Sequence, residues 1–212
     1  MQLTHYGHSC LLVELAGTRV LVDPGTFSTG WTELTGLDAV LVTHQHADHL
    51  DTGALPELLA ANPDVPRYCD PATAEREGAP WRPLCVGEPV QLGTVTVHVQ
   101  GGAHAVIHPD VPVVDNVALV FGTADQPALL LHPGDSFHVP PQGVDVLALP
   151  TAAPWLKLAE AVDYLRAVAP RVAVPIHEAV LAMPQLHYGL FTQLAPEATE
   201  VRVLERGVPT PI

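Results

Sequence analysis

Cations are scarce in this sequence. Lys157 is the only lysine in 212 residues, and with eight arginines it makes nine basic side chains against 23 acidic ones, a net charge of −14. No basic patch can be assembled from lysine clusters, and the overall field repels phosphate backbones. Extended nucleic-acid contacts are therefore excluded. A small phosphorylated molecule is not, because bound metal ions can supply positive charge locally. The expected partner is a small-molecule substrate, with the oligomeric state left open.

Cysteine is scarce too. Cys10, Cys69 and Cys85 are odd in number and show no C-x-x-C spacing, which argues against a disulfide framework or a zinc ribbon and for a reducing compartment. No run approaches the roughly 18 apolar residues of a membrane span. The opening Met1-Gln2-Leu3-Thr4-His5-Tyr6 lacks the basic start and apolar stretch of a secretion signal, so a cytoplasmic protein is expected. Charged residues amount to only 15% against 48% hydrophobic, a balance that suits a packed core rather than a disordered chain. The prolines are spread along the chain and no fixed-period repeat or low-complexity segment occurs, so residues 1–212 are expected to form one domain.

What the chain does have is short apolar, β-branched runs broken by turn residues. Cys10 to Leu15 and Arg19 to Val22, separated by Gly17-Thr18, predict a β-hairpin ending in Asp23-Pro24-Gly25. Further strands are predicted at Ala39 to Val42, Thr94 to Val99, Val117 to Phe121, Ala128 to Leu131, Val144 to Leu149 and Val172 to Val174. Between them, Leu158, Ala161, Val162, Leu165 and Val168 recur at helical spacing and predict an amphipathic helix from Leu156 to Val168. Weaker helical segments lie at Leu55 to Ala61, Ala72 to Glu77 and Tyr188 to Leu194. This order predicts a mixed α/β sandwich.

The chemistry is concentrated directly after the strand Ala39 to Val42, where Thr43-His44-Gln45-His46-Ala47-Asp48-His49 places three imidazoles and a carboxylate within six positions. With 12 histidines in 212 residues and as many aspartates, random placement would produce H-x-H-x-D-H about 0.002 times, so chance is a poor account. A solvated loop with a helix cap at Asp48 does not require three neighbouring histidines. Metal ligation does: alternate residues of an extended segment point the same way, so His44 and His46 can face one ion while the following turn lets Asp48 and His49 face a second.

On these residues the chain resembles the metallo-β-lactamase superfamily, whose H-x-H-x-D-H motif is followed downstream by a His, an Asp and a last His. The matching segments are Gly102-Ala103-His104, Gly134-Asp135-Ser136 and Pro175-Ile176-His177, and the early Val22-Asp23-Pro24 matches as well. The resemblance covers the whole chain and implies a four-layer αβ/βα sandwich. It implies one ion held by His44, His46 and His104, a second by Asp48, His49 and His177, and Asp135 bridging the two. Asp23 is expected to orient the ligand loop, and His8 and His108 to serve as proton donors or substrate binders, His5, His98, His132, His138 and His187 having no motif support. The opening Gly7-His8-Ser9-Cys10 is most similar to the small metal-dependent hydrolases and the ascorbate-6-phosphate lactonase-like proteins. Aspartate rather than cysteine at 135 disfavours drug hydrolysis, and histidine rather than glutamate at 46 disfavours the flavodiiron oxygen reductases.

The implied activity is a metal-dependent hydrolase. Two divalent ions lower the pKa of a shared water, which attacks a small ester, lactone, amide or phosphodiester. Imidazole and carboxylate ligands fit zinc first and manganese or iron as well. Two other readings stay open: a mononuclear iron dioxygenase on the same fold, using His44, His46 and His104 alone, and a metal-stabilised binding module without turnover.

Overall fold

Two seven-stranded sheets lie face to face in the computed structural model, which describes all 212 residues. The first contains β1 (Gln2–Gly7), β2 (Cys10–Leu15), β3 (Thr18–Val22), β4 (Ala39–Val42), β5 (Arg67–Cys69), β6 (Trp81–Pro83) and, at the far edge beside β1, β14 (Thr210–Pro211). The second contains β7 (Val90–Leu92), β8 (Val95–Gly101), β9 (Val117–Thr123), β10 (Leu130–His132), β11 (Val146–Pro150), β12 (Val172–Ile176) and β13 (Glu200–Val201).

Both sheets follow one plan. From β14 through β1 and β2 to β3 the pairings are antiparallel, and from β3 through β4 and β5 to β6 they are parallel. From β7 through β8 and β9 to β10 they are again antiparallel, then parallel through β11 and β12 to β13. The chain is thus built of two structurally equivalent halves, although no sequence repeat marks them.

Alternation along the strands produces the layers, because successive side chains of a strand point to opposite faces. Leu11, Val13, Val20, Val22 and Leu41 of the first sheet meet Val97, Val99, Leu119, Phe121 and Val174 of the second in the central core. The intervening residues Leu12, Leu21, Val40 and Val42 face outward and are covered by Trp31, Leu55 and Leu58, the last two from α1 (Leu55–Ala61). A short α2 (Pro71–Glu77) follows β5, with the Asp70 side chain accepting from Thr73 N–H at its start. On the other side Val120, Leu147, Leu149 and Ala173 pack under α3 (Leu158–Val168) and Phe191 of α4 (Pro184–Leu194). The result is the four-layer αβ/βα sandwich. No helix is long and apolar enough to cross a membrane.

Details differ from the sequence reading. The hairpin turns on Ala16 and Gly17, both at positive φ (48° and 81°), and Thr18 already pairs with Leu15. Such a two-residue turn matches the twist of the flanking strands. The helix predicted from Leu156 starts at Leu158, where Lys157 N–H is capped by Glu160 Oε2 at 2.8 Å. The helix predicted from Tyr188 starts at Pro184, where the fixed φ of proline suits the first turn.

Candidate metal centre

The carboxyl ends of β3, β4, β10 and β12 open onto one edge of the sandwich, where β3 releases Asp23 and the others release candidate ligands. After β4 the chain carries His44 to His49, after β10 Asp135, after β12 His177, and the loop from β8 to β9 adds His104. Two clusters form. His44, His46, His104 and Asp135 each offer an atom, all within 4.8 Å of one another, and so do His8, Asp48, His49 and His177. Asp135 lies between them: its Oδ2 is 3.3 Å from His104 Nε2, while its Oδ1 is 3.0 Å from His49 Nε2 and 3.3 Å from His177 Nε2.

These spacings suit metal ions. Four ligands about 2.1 Å from a tetrahedral ion stand about 3.4 Å from one another. A second observation is independent of distance: Nε2 of His49, His104 and His177 and Oδ1 of Asp135 are buried with no hydrogen-bond partner. Buried polar atoms are rarely left so, and four converging on one place call for a ligand.

The opposite ring nitrogens explain why these atoms are bare. Nδ1–H of His104 donates to Ala105 O at 2.5 Å and that of His177 to Ala152 O at 2.6 Å. A carbonyl only accepts, so the proton sits on Nδ1 and Nε2 keeps its lone pair for an ion. His49 Nδ1 meets Asp23 Oδ2 at 2.7 Å, and His44 Nδ1 lies 3.0 Å from Thr43 Oγ1, whose hydroxyl donates to the same Asp23 oxygen at 2.8 Å. Asp23 Oδ1 accepts Thr43 N–H at 2.7 Å. One buried carboxylate thus holds two candidate ligand rings, His49 directly and His44 through Thr43, and the backbone just before them. His46 differs, presenting Nδ1, 3.0 Å from His44 Nε2.

Electrostatics follow from three carboxylates in a buried space. Burial opposes charge on His49, but Asp135 and Asp23 outweigh it and hold the imidazole well above its ordinary value. Against the same burial, Asp135 and Asp48 raise His177 to about 9. The His8 hydrogen bond and the charge of neighbouring imidazoles overcome the desolvation of Asp48, charge from His49 and His177 overcomes that of Asp135, and both carboxyls stay well below the usual range. At His44 burial and the neighbouring imidazoles outweigh Asp135 and push it well down. The site is built to hold cations.

The backbone is strained around it. His8, Asp23 and His177 have φ of 50°, 48° and 58°, three of only five non-glycine residues at positive φ. Such strain persists where the surroundings over-determine it and gathers at functional sites.

Not every expected residue arrives here. His8 does: it is fully buried, with Nε2 3.1 Å from Asp48 Oδ2. His108 does not. Its ring is 62% exposed, 3.6 Å from Asp110, and its Nδ1 accepts Asp110 N–H in a local turn that carries it away from the cluster. Others went unread in the sequence. Trp155 donates its indole N–H to Asp135 Oδ2 at 2.8 Å, and Asn116 Oδ1 accepts Asp135 N–H at 2.9 Å. His132 spans from Ser9 O (2.9 Å) to Gly134 N–H (3.3 Å), pinning the two loops together. Only Trp155 carried a usable signal, since a tryptophan that is buried needs an acceptor for its N–H.

Comparison with known proteins agrees with the architecture. The beta-lactamase superfamily domain matches residues 2–177. A Mycobacterium tuberculosis protein, Rv0786c, is 53% identical over 206 residues, 96% of each chain. The chain belongs to the metallo-β-lactamase superfamily. Among more distant members, a UPF0173 metal-dependent hydrolase of Caldivirga maquilingensis is 28% identical over 95% of this chain and 88% of its own. Among solved structures, Igni18, a metallo hydrolase of the archaeon Ignicoccus hospitalis, superposes with a TM-score of 0.73 at 20% identity, covering 99% and 97% of the two chains. CmlA, a diiron β-hydroxylase of Streptomyces venezuelae, gives 0.68 at 14% identity over 96% of this chain and 52% of its own. For this superfamily member, the last two likenesses bear on the fold alone, while the family match together with relatives named metal-dependent hydrolases identifies it as one, its substrate unassigned.

Proposed function

We propose that this protein hydrolyses a small ester, lactone, amide or phosphodiester with two divalent ions, held by His44, His46 and His104 on one side, Asp48, His49 and His177 on the other, and Asp135 between. Zinc is the foremost candidate, with manganese and iron next. The observation that carries this reading is the convergence of four buried, unpartnered atoms, Nε2 of His49, His104 and His177 and Oδ1 of Asp135. When bound, such ions lower the pKa of a coordinated water toward neutrality and draw off the charge that develops on the scissile group.

The chain's own side chains supply orientation. Trp155 N–H holds Asp135 Oδ2, so that Oδ1 stays turned toward His49 and His177. The Trp155 ring, 6.0 Å from His104 and 6.4 Å from His177, walls one side of the site against water. His8 lies against Asp48 on the other side, and Asp23 fixes His49 from behind.

Metal content after reconstitution tests the reading, with two ions per chain expected. Saturation at one would favour the mononuclear iron dioxygenase, which uses His44, His46 and His104 only. Asp48→Ala should reduce the stoichiometry to one and abolish hydrolysis with little change in Tm, because Asp48 lies outside the hydrophobic core. Two bound ions with no turnover of esters, lactones, amides or phosphodiesters would leave the metal-stabilised binding module.

A further inference from the structure

Around the metal centre the surface is apolar and free of cations. Phe27 lies 5.1 Å from the His8 ring and Phe137 5.1 Å from Trp155, so each packs one residue behind the ligands. Val106 follows His104 by two positions and Val180 follows His177 by three, and all four side chains are exposed. A groove of about 410 Å³ runs between the segment carrying His104 and the one carrying Asp135, lined by Gly101 to Ala103, Ala105 and Ser136 to His138. Phe137 also lines a neighbouring groove of about 330 Å³, whose other walls include Val139 and Tyr164 and the acidic Glu160 and Asp163.

Positive charge is missing from every loop that frames this surface. No lysine or arginine occurs in residues 20–66, 83–156 or 172–201. The nearest cations are engaged: Arg76 with Glu77 and Gln45, Arg206 with Glu178, and Lys157 3.9 Å from Glu160. A substrate whose remote end carried a phosphate or carboxylate would bring it against Glu160 and Asp163, two carboxylates with only Lys157 beside them. An alkyl or aryl flank would bury apolar area there, each methylene worth up to about fourfold in affinity.

We infer that the substrate is a small ester, lactone or amide whose acyl portion is uncharged and apolar and lies along the Phe137 groove, rather than a phosphorylated or dicarboxylic one. This rests on the hydrolase reading above and adds the identity of the acyl group.

The test uses metal-reconstituted protein with 4-nitrophenyl acetate, butyrate and hexanoate and mono-4-nitrophenyl adipate. In an open groove, roughly twofold per methylene is expected, about 16-fold in kcat/KM from acetate to hexanoate, with the adipate ester at least tenfold below the hexanoate. Phe137→Ser should flatten that dependence, and Val139→Ser, a more exposed wall of the same groove, gives the same information if the first variant misfolds. Calorimetry with acetate, hexanoate and adipate as product ligands reads the groove without turnover. Hexanoate binding about 16-fold tighter than acetate, with no ester hydrolysed, would uphold the apolar groove and sink the hydrolase reading instead. Rates or affinities flat with chain length, or favouring adipate, overturn the inference while leaving hydrolysis intact.

Discussion

His8 sits one hydrogen bond behind Asp48, a proposed ligand of the second ion. Its Nδ1 accepts Ala179 N–H at 3.3 Å, which leaves the proton on Nε2, facing Asp48 Oδ2 at 3.1 Å. A ring so protonated donates to the carboxylate and positions it, as partners behind metal ligands commonly do. His8→Ala should therefore weaken the second ion by 10- to 100-fold in chelator competition while the first ion binds as before. His8→Gln, whose amide N–H can still reach Asp48, should recover part of the loss. Equal weakening of both ions, or no recovery in the glutamine variant, would show that His8 acts as a ligand or only as packing.

At the scale of elements, the site is a set of strand ends held together by loops. Much of it was legible because buried strands such as Val40 to Val42 and Val172 to Val174 are apolar without interruption and the polar ligands follow at once. The strand β1 was not, since it buries Thr4 and His5 along with Leu3 and reads as polar. Strands of two or three residues such as β5, β6, β7, β13 and β14 offer too few positions for an alternation to show. Asn116 and Thr43 act through tertiary contacts that no local spacing encodes. They meet at Gly134, whose φ is +57° and where a Cβ would collide with Asn116 Oδ1 and with Thr43 Oγ1. Gly134→Ala should thus cost on the order of 3 kcal/mol and impair binding of both ions. Gly143→Ala, at a similar φ of +72° but with no atom within 4 Å, isolates the backbone contribution and should cost about 1 kcal/mol in a melting comparison.

Across the whole molecule, ions and protons compete for the same buried negative charge. In the metal-free chain His177 is raised to about 9 from an ordinary 6.5, so the stability it contributes is complete below pH 6.5 and lost as pH rises through 9. Ions require the deprotonated ring, so their stabilisation grows over the same interval. Chelator-treated protein should therefore show a Tm that falls between pH 6.5 and 9 while that of loaded protein holds or rises. Parallel trends would mean that the ions do not displace these protons.

The matched pairing plan of the two sheets has a consequence for connectivity. Residues 1–87 carry His44, His46, Asp48 and His49, residues 88–212 carry His104, Asp135 and His177, and neither stretch owns a complete set for either ion. Two ions held as proposed would therefore act as a clasp between two lobes. In strand order only β14 crosses between the lobes, leaving the second to complete the first sheet, and there Ile212 N–H donates to Met1 O at 3.1 Å. A circular permutant that joins these ends through a short glycine linker and opens between Gly87 and Glu88 would run the second sheet, then β14 and the rest of the first, each from one unbroken stretch. It should fold and take up two ions, and a permutant that melts without binding them would show that the order in which the lobes are joined matters to the clasp.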